Sequence, residues 1–126
     1  LASHVTQPFD LEFMLPAPGQ GALAIEGRVD DDHLRLLVMA IHHSTTALAV
    51  DCERAILARL GAGCHTPVAI HAAVVDDRIQ IRALVATPDG RKTITAACSL
   101  PLREKDEAVS ETYEQLIRQG AKTIIA

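Results

Sequence analysis

Thiol, imidazole and carboxylate groups supply the reactive chemistry of this chain, and their spacing separates them. Cys64 lies in Gly61-Ala-Gly-Cys-His-Thr-Pro67, a run of small residues between a helix end and a strand start, whereas Cys52 and Cys98 each fall within an apolar stripe. Flanking glycines let a ligand approach the backbone, and a charged His65 next door favours the thiolate that acts as nucleophile. Spacing alone leaves Cys64 open to two readings, an incidental loop thiol or a reactive one. A Cys–His hydrolase would need a base across space and an orienting partner; His42, His43 and His71 are available, and nothing selects among them. Cys64, His65 and His71 lack the second half of a paired zinc-ligand pattern, so no metal site is expected. Asp30-Asp31-Asp32 reads as helix-start electrostatics rather than as cation ligands. The His42-His43 pair reads as the close of that first helix, where imidazolium suits the negative end of the dipole. The run Pro16-Ala-Pro-Gly-Gln-Gly-Ala22 presents backbone amides to an anion but has neither the Lys nor the spacing of a phosphate loop.

These residues need elements to hold them. Leu1 to Met14 carries no firm signal, Leu15 to Gly21 is a Pro/Gly loop, and Ala22 to Glu26 reads as a short strand. After the acidic triplet, Leu34, Leu37, Val38 and Ile41 recur at helical spacing, which predicts a first helix to about His42. A second starts at Ser44, with Leu48, Cys52, Ala55, Ile56 and Arg59 or Leu60 on one face and Gly61 as its C-terminal cap. Three alternating runs follow, Val68 to Val75, Arg78 to Thr87 and Arg91 to Ser99, divided by turns at Asp76-Asp77 and Pro88-Asp89-Gly90. The apolar side of this meander carries Ile70, Ile79, Ile81, Val85, Ile94 and Cys98; His71, Gln80, Arg82, Thr93 and Thr95 face the other way, towards solvent or another domain. A last helix begins near Glu104, places Val109, Thr112, Leu116 and Ile117 together and stops at Gly120, leaving Lys122 to Ala126 ambiguous. The expectation is a small α+β domain, a three-stranded antiparallel sheet with helices packed on one face.

Composition narrows the function. A length of 126 residues suits one compact domain, and 48% hydrophobic with 22% charged residues excludes disorder and fibrous repeats. A net charge of -4 speaks against a general nucleic-acid binder or a basic membrane-surface segment. With only Phe9, Phe13 and Tyr113 as aromatics, a base-stacking platform has nothing to build on. Three scattered cysteines do not make a disulfide framework, which points to a reducing cytoplasm, and no apolar run reaches membrane-spanning length.

Three segments carry a resemblance. Met14-Leu-Pro-Ala-Pro-Gly-Gln-Gly-Ala-Leu-Ala-Ile-Glu26, Gly61-Ala-Gly-Cys-His-Thr-Pro-Val68 and Arg82-Ala-Leu-Val-Ala-Thr-Pro-Asp-Gly90 closely resemble the porphobilinogen deaminase (hydroxymethylbilane synthase) family, in the family's order. The resemblance implies a three-domain parent of which this chain is the C-terminal portion. Residues 1–28 would be the loop and strand segment returning to an absent N-terminal domain, and 29–126 the C-terminal, cofactor-anchoring α+β domain. A start at Leu1 rather than Met suits a piece of something longer.

The same resemblance implies a transferase that joins four porphobilinogen molecules into hydroxymethylbilane, with release of ammonia. The chain would grow on a dipyrromethane cofactor thioether-linked to Cys64; a soft thiolate suits attack on an electrophilic pyrrolic methylene. Gln20 and Gly21 match a loop lining the cofactor cleft. Ala62 stands where the family commonly has a further glycine before the cysteine. The family's catalytic aspartate and most of its carboxylate-binding Arg and Lys residues belong to the absent domains, so this segment is expected to hold no catalytic residue and to be inactive alone. The implied partners are porphobilinogen and the missing N-terminal domains, with no nucleic acid or membrane, a monomeric parent and a segment prone to self-association. Residues Leu1 to Gly27 would be disordered or borrow a neighbouring sheet edge. The alternative from another class is a free-standing, non-catalytic binding module that retains the fold.

Overall fold

A computed structural model describes residues 2–63 and 66–125. Beyond a single 3-10 turn at Ala2–His4, the first thirty residues contain no helix or strand. The expected strand at Ala22–Glu26 is not formed. A strand needs a ladder partner, none lies beside this segment among the described residues, and Leu23 stands 96% exposed.

Helix α1 (Asp32–Met39) starts where the acidic triplet predicts, with Asp31 as N-cap accepting from the Leu34 N–H at 2.9 Å. It ends three residues before His42, and none of its residues is buried. Helix α2 (Ser44–Leu60) has the predicted bounds and is closed by Gly61 in the left-handed region, φ 68°. Its buried stripe is Ala49, Cys52, Glu53, Ile56 and Leu60, one helical face at spacings of three and four.

Strands β1 (Val68–Val75), β2 (Arg78–Ala86) and β3 (Thr93–Pro101) form an antiparallel meander in the order β1-β2-β3. Asp76 and Asp77 both take positive φ, 48° and 57°, which matches the twist of a two-residue hairpin. In the second turn Asp89 Oδ1 accepts from the Thr87 hydroxyl at 2.6 Å and the Arg91 N–H at 3.1 Å; these two bonds hold its carboxyl below the usual range. Register sets Ile70 opposite Ala83, Ala72 opposite Ile81, and Val85 opposite Ile94, so the apolar residues share one face as the alternation requires.

Helices α2 and α3 (Lys105–Arg118) cover that face, and α4 (Ala121–Ile125) closes one end through buried Ala121. Helix α3 buries Ala108, Val109, Thr112 and Leu116, and the Thr112 hydroxyl donates to the Ala108 carbonyl at 2.8 Å, so no unpaired polar group enters the core. Across the helix pair the Arg59 guanidinium sits 4.3 Å from the Tyr113 ring centroid and donates to the Ser110 hydroxyl at 3.0 Å. Lys122 Nζ donates to the Leu60 carbonyl at 3.3 Å, pairing an acceptor that helix geometry leaves free.

The architecture is the expected α+β one. For the segment before α1, the expectation of disorder or a borrowed edge fails between Pro16 and Gly19. The Ile70 N–H donates to the Pro16 carbonyl at 3.2 Å, and the Gly19 N–H donates to Glu53 at 2.6 Å, so the loop is tied to β1 and α2 of its own chain. Residues 10–15 lie along the polar face of the sheet, where Glu12 and Arg82 approach to 3.5 Å.

Ile56 touches no solvent and stands at the centre of the α2 stripe. Ile56→Ala should lower unfolding stability by about 2–5 kcal/mol, the range for a buried large-to-small change that leaves a cavity. Chemical denaturation of the 126-residue chain reads this directly, as a lower midpoint at unchanged slope.

Candidate functional site

Cys64 and His65, on which the sequence reading turns, lie outside the described residues. Their neighbours are placed. Gly63 follows the cap of α2, the Thr66 N–H donates to the Gly63 carbonyl at 3.0 Å, and Pro67 leads into β1. Position 64 therefore falls in sequence between the main core helix and an edge strand, both of them anchored in the core.

The other two cysteines are where their stripes put them. Cys52 is buried against α3, and that burial pushes its thiol pKa up. Cys98 is only half-buried, at the rim of the apolar face; its Sγ bonds Glu111 Oε2 at 3.3 Å. Burial first, then the Glu111 hydrogen bond and charge, push Cys98 up to about 11. Neither environment favours a thiolate.

Gln20 and Gly21 line a cleft of about 420 Å³ with Ala22, the first turns of α2 (Thr45, Thr46, Ala49 and Val50), Glu53, and His71–Val74 of β1. The Gln20 side chain folds back so that its Oε1 accepts from the Ala17 N–H at 3.4 Å. This loop meets β1 around Ala72, whereas position 64 precedes the strand's first residue, Val68; four residues at ~3.3 Å each span about 13 Å. The structure brings Gln20 and Gly21 together with Glu53 and His71.

Glu53 is the residue that sequence reasoning missed. Only 5% exposed, it accepts the Ala72 N–H through Oε1 at 2.7 Å and the Gly19 N–H through Oε2 at 2.6 Å, with His71 Nδ1 3.7 Å from Oε1. Short N–H bonds to each oxygen are what a buried carboxylate requires. The signal was present: Glu53 lies four residues after Ala49 and three before Ile56, on the core-facing stripe, where an acid needs a partner.

The reading of His42-His43 is corrected. Helix α1 ends before the pair, and His43 is the N-cap of α2, its Nδ1 accepting from the Thr46 N–H at 3.4 Å and bonding the Thr46 hydroxyl at 2.8 Å. It stands at the start of α2, where a ring nitrogen turned towards the first-turn N–H groups pairs a donor that the helix leaves free. Among the described residues no group of three or more His, Cys, Asp or Glu side chains is placed to hold a metal ion. None of the described helices is long and apolar enough to cross a membrane.

A meander backed by two helices, with a small-residue turn between the longer helix and the edge strand and a cleft beside that strand, defines a compact α+β lobe that presents one turn on a rigid base. The family described as "Porphobilinogen deaminase, C-terminal domain" matches residues 47–117, from the first turn of α2 through nearly all of α3. The chain belongs to that family, a domain of a transferase in tetrapyrrole formation.

At pH 8 a thiol with a pKa of about 11 is ionised to roughly one part in a thousand, and a buried one is shielded as well. Cys52 and Cys98 should therefore label with maleimide at least tenfold more slowly in the folded chain than in guanidinium, as read by peptide mapping. Equal rates in both states would contradict the placement of these two side chains.

Proposed function

We propose that this chain is the cofactor-anchoring C-terminal part of a porphobilinogen deaminase, acting with N-terminal domains that supply the catalysis. In this reading residues 1–28 return to the first of those domains and 29–126 form the anchoring domain. The enzyme polymerises four porphobilinogen molecules into hydroxymethylbilane with loss of ammonia, in the cytoplasm. The family match at residues 47–117, which contains position 64, carries the reading.

The family's dipyrromethane brings pyrrole N–H donors and acidic side chains, and the donor set of the cleft can be tested against both. Gln20, Thr45, Thr46 and His71 offer an amide, two hydroxyls and an imidazole beside the Glu53 carboxylate, and among the described residues neither Lys nor Arg lines it. Such a set suits ring edges and N–H groups and leaves the carboxylates to be paired elsewhere. These residues fit one wall of a site. Cys64 would hold the group as a thioether, and Gln20 and Gly21 would line its cleft. When bound, the group supplies the attachment point on which the pyrrole chain is extended.

What this chain's own residues contribute is position. In this reading the thiol follows α2 and precedes β1 in sequence, elements whose side chains Leu60 and Ile70 are almost wholly buried, so the tether is attached to a well-packed base. No acid–base step is assigned to this segment.

In the longest natural chain containing this sequence, Cys64→Ser should abolish conversion of porphobilinogen, and the 126-residue chain by itself should show none. A Cys64→Ser enzyme with ordinary turnover would overturn the anchor reading. Turnover by the 126-residue chain alone would overturn the division of labour.

A further inference from the structure

Glu53 is buried, charged and unused by the chemistry above, and its surroundings suggest a task. Strand β1 lies at the edge of the sheet, so alternate N–H groups point away from β2 and need acceptors. At Ile70 the acceptor is the Pro16 carbonyl, and the incoming segment behaves there as a neighbouring strand would. It cannot continue as one. Pro18 has no N–H, and Gly19 turns the chain with φ +73°, a conformation a side chain would resist. The next outward donor, Ala72 N–H, takes Glu53 Oε1 instead, while Oε2 of the same carboxylate captures Gly19 N–H.

We infer that Glu53 is a positioning residue: its carboxylate clips the Pro16–Ala22 segment to the outer edge of β1 and so sets where Gln20 and Gly21 stand in the cleft. One rigid group bridges two backbone segments that have no ladder between them beyond residue 70. The bond to Ala72 is buried and the one to Gly19 half-buried, and a carboxylate acceptor makes both short and directional. The residues around it show how local the attachment is. Leu15, Pro16, Pro18 and Gly19 are partly buried, while the residues before Leu15 and from Leu23 through Asp30 are exposed. One titratable group faces the carboxylate besides its donors: His71 Nδ1 approaches Oε1 from β1 and adds an attractive charge when protonated, while from α2 Thr45 and Thr46 line the same cleft with their hydroxyls bonded to His43. That the positioned loop serves a tethered pyrrole rests on the function proposed above; the clip itself does not.

The test is amide hydrogen exchange and NMR titration on the 126-residue chain. Glu53→Gln keeps one acceptor oxygen and loses the other. The Gly19 amide should lose at least tenfold in protection and the Gln20 resonances should move, while the amides of β2 keep their protection. Unchanged protection at Gly19, or an equal loss throughout β2, would overturn the positioning role. If Glu53→Gln does not fold, the unmutated chain decides. As pH is lowered, the Gly19 and Ala72 amide protons should shift with the same midpoint as the Glu53 carboxyl carbon; a Gly19 proton that ignores that transition overturns the clip. Neither readout involves Cys64, so failure of the anchor reading and failure of this one are separately visible.

Discussion

A three-stranded sheet with one apolar face has two edge strands for a single central one, and the packing of α2 and α3 answers that constraint. The face demands cover, and α2 and α3 supply it with Ile56, Leu60, Val109 and Leu116 packed on Ile70, Ile79, Ile81 and Val85. The edges demand partners, and the same two helices supply those as well. From α2, Glu53 takes the Ala72 N–H of β1; from α3, Gln115 accepts the Ala97 N–H at 3.3 Å and Gln119 donates to the Thr95 carbonyl at 2.8 Å along β3. Side chains thus take backbone groups on both margins where another strand would otherwise add, one way of blunting edges.

This economy fixes where function has room. The apolar face is covered, while space remains open along the polar face, where residues 10–15 lie, and in the cleft beside β1. The first turns of α2 form one wall of that cleft, and its other end leads in sequence towards position 64. The Pro16–Gly21 loop is held at the cleft by Glu53, which α2 carries. In the function proposed above, the anchoring thiol follows the other end of the same helix in sequence, an arrangement that suits a lobe that holds rather than reacts.

The sequence was legible wherever local signals agreed. The bounds of α2 follow from its apolar period and Gly61, and the hairpins follow from alternation plus Asp76-Asp77 and Pro88-Asp89-Gly90. It was misleading where a local signal depended on a partner it could not show. Ala22–Glu26 is largely apolar, as a short strand would be, and finds no neighbour among the described residues; His42-His43 looks like a helix end, yet His43 is the next helix's cap because α1 stops at Met39. Glu53 was passed over because periodicity counts apolar residues, and an acid in the stripe becomes meaningful only when Gly19, 34 residues earlier, and Ala72, 19 residues later, are seen to converge on it. The role of Cys64 rests on its motif rather than on geometry. A thiol in a small-residue turn has no periodic signature, and only the three ordered segments single it out.

Intact-protein mass with peptide mapping, on the longest natural chain containing this sequence and purified from cells that make tetrapyrroles, decides whether this lobe anchors the pyrrole chain. An anchoring role predicts an adduct of two pyrrole units on the peptide bearing Cys64, absent from Cys64→Ser. An unmodified Cys64 in a complete, folded parent would contradict it, and would leave a binding module that retains the fold as the better description.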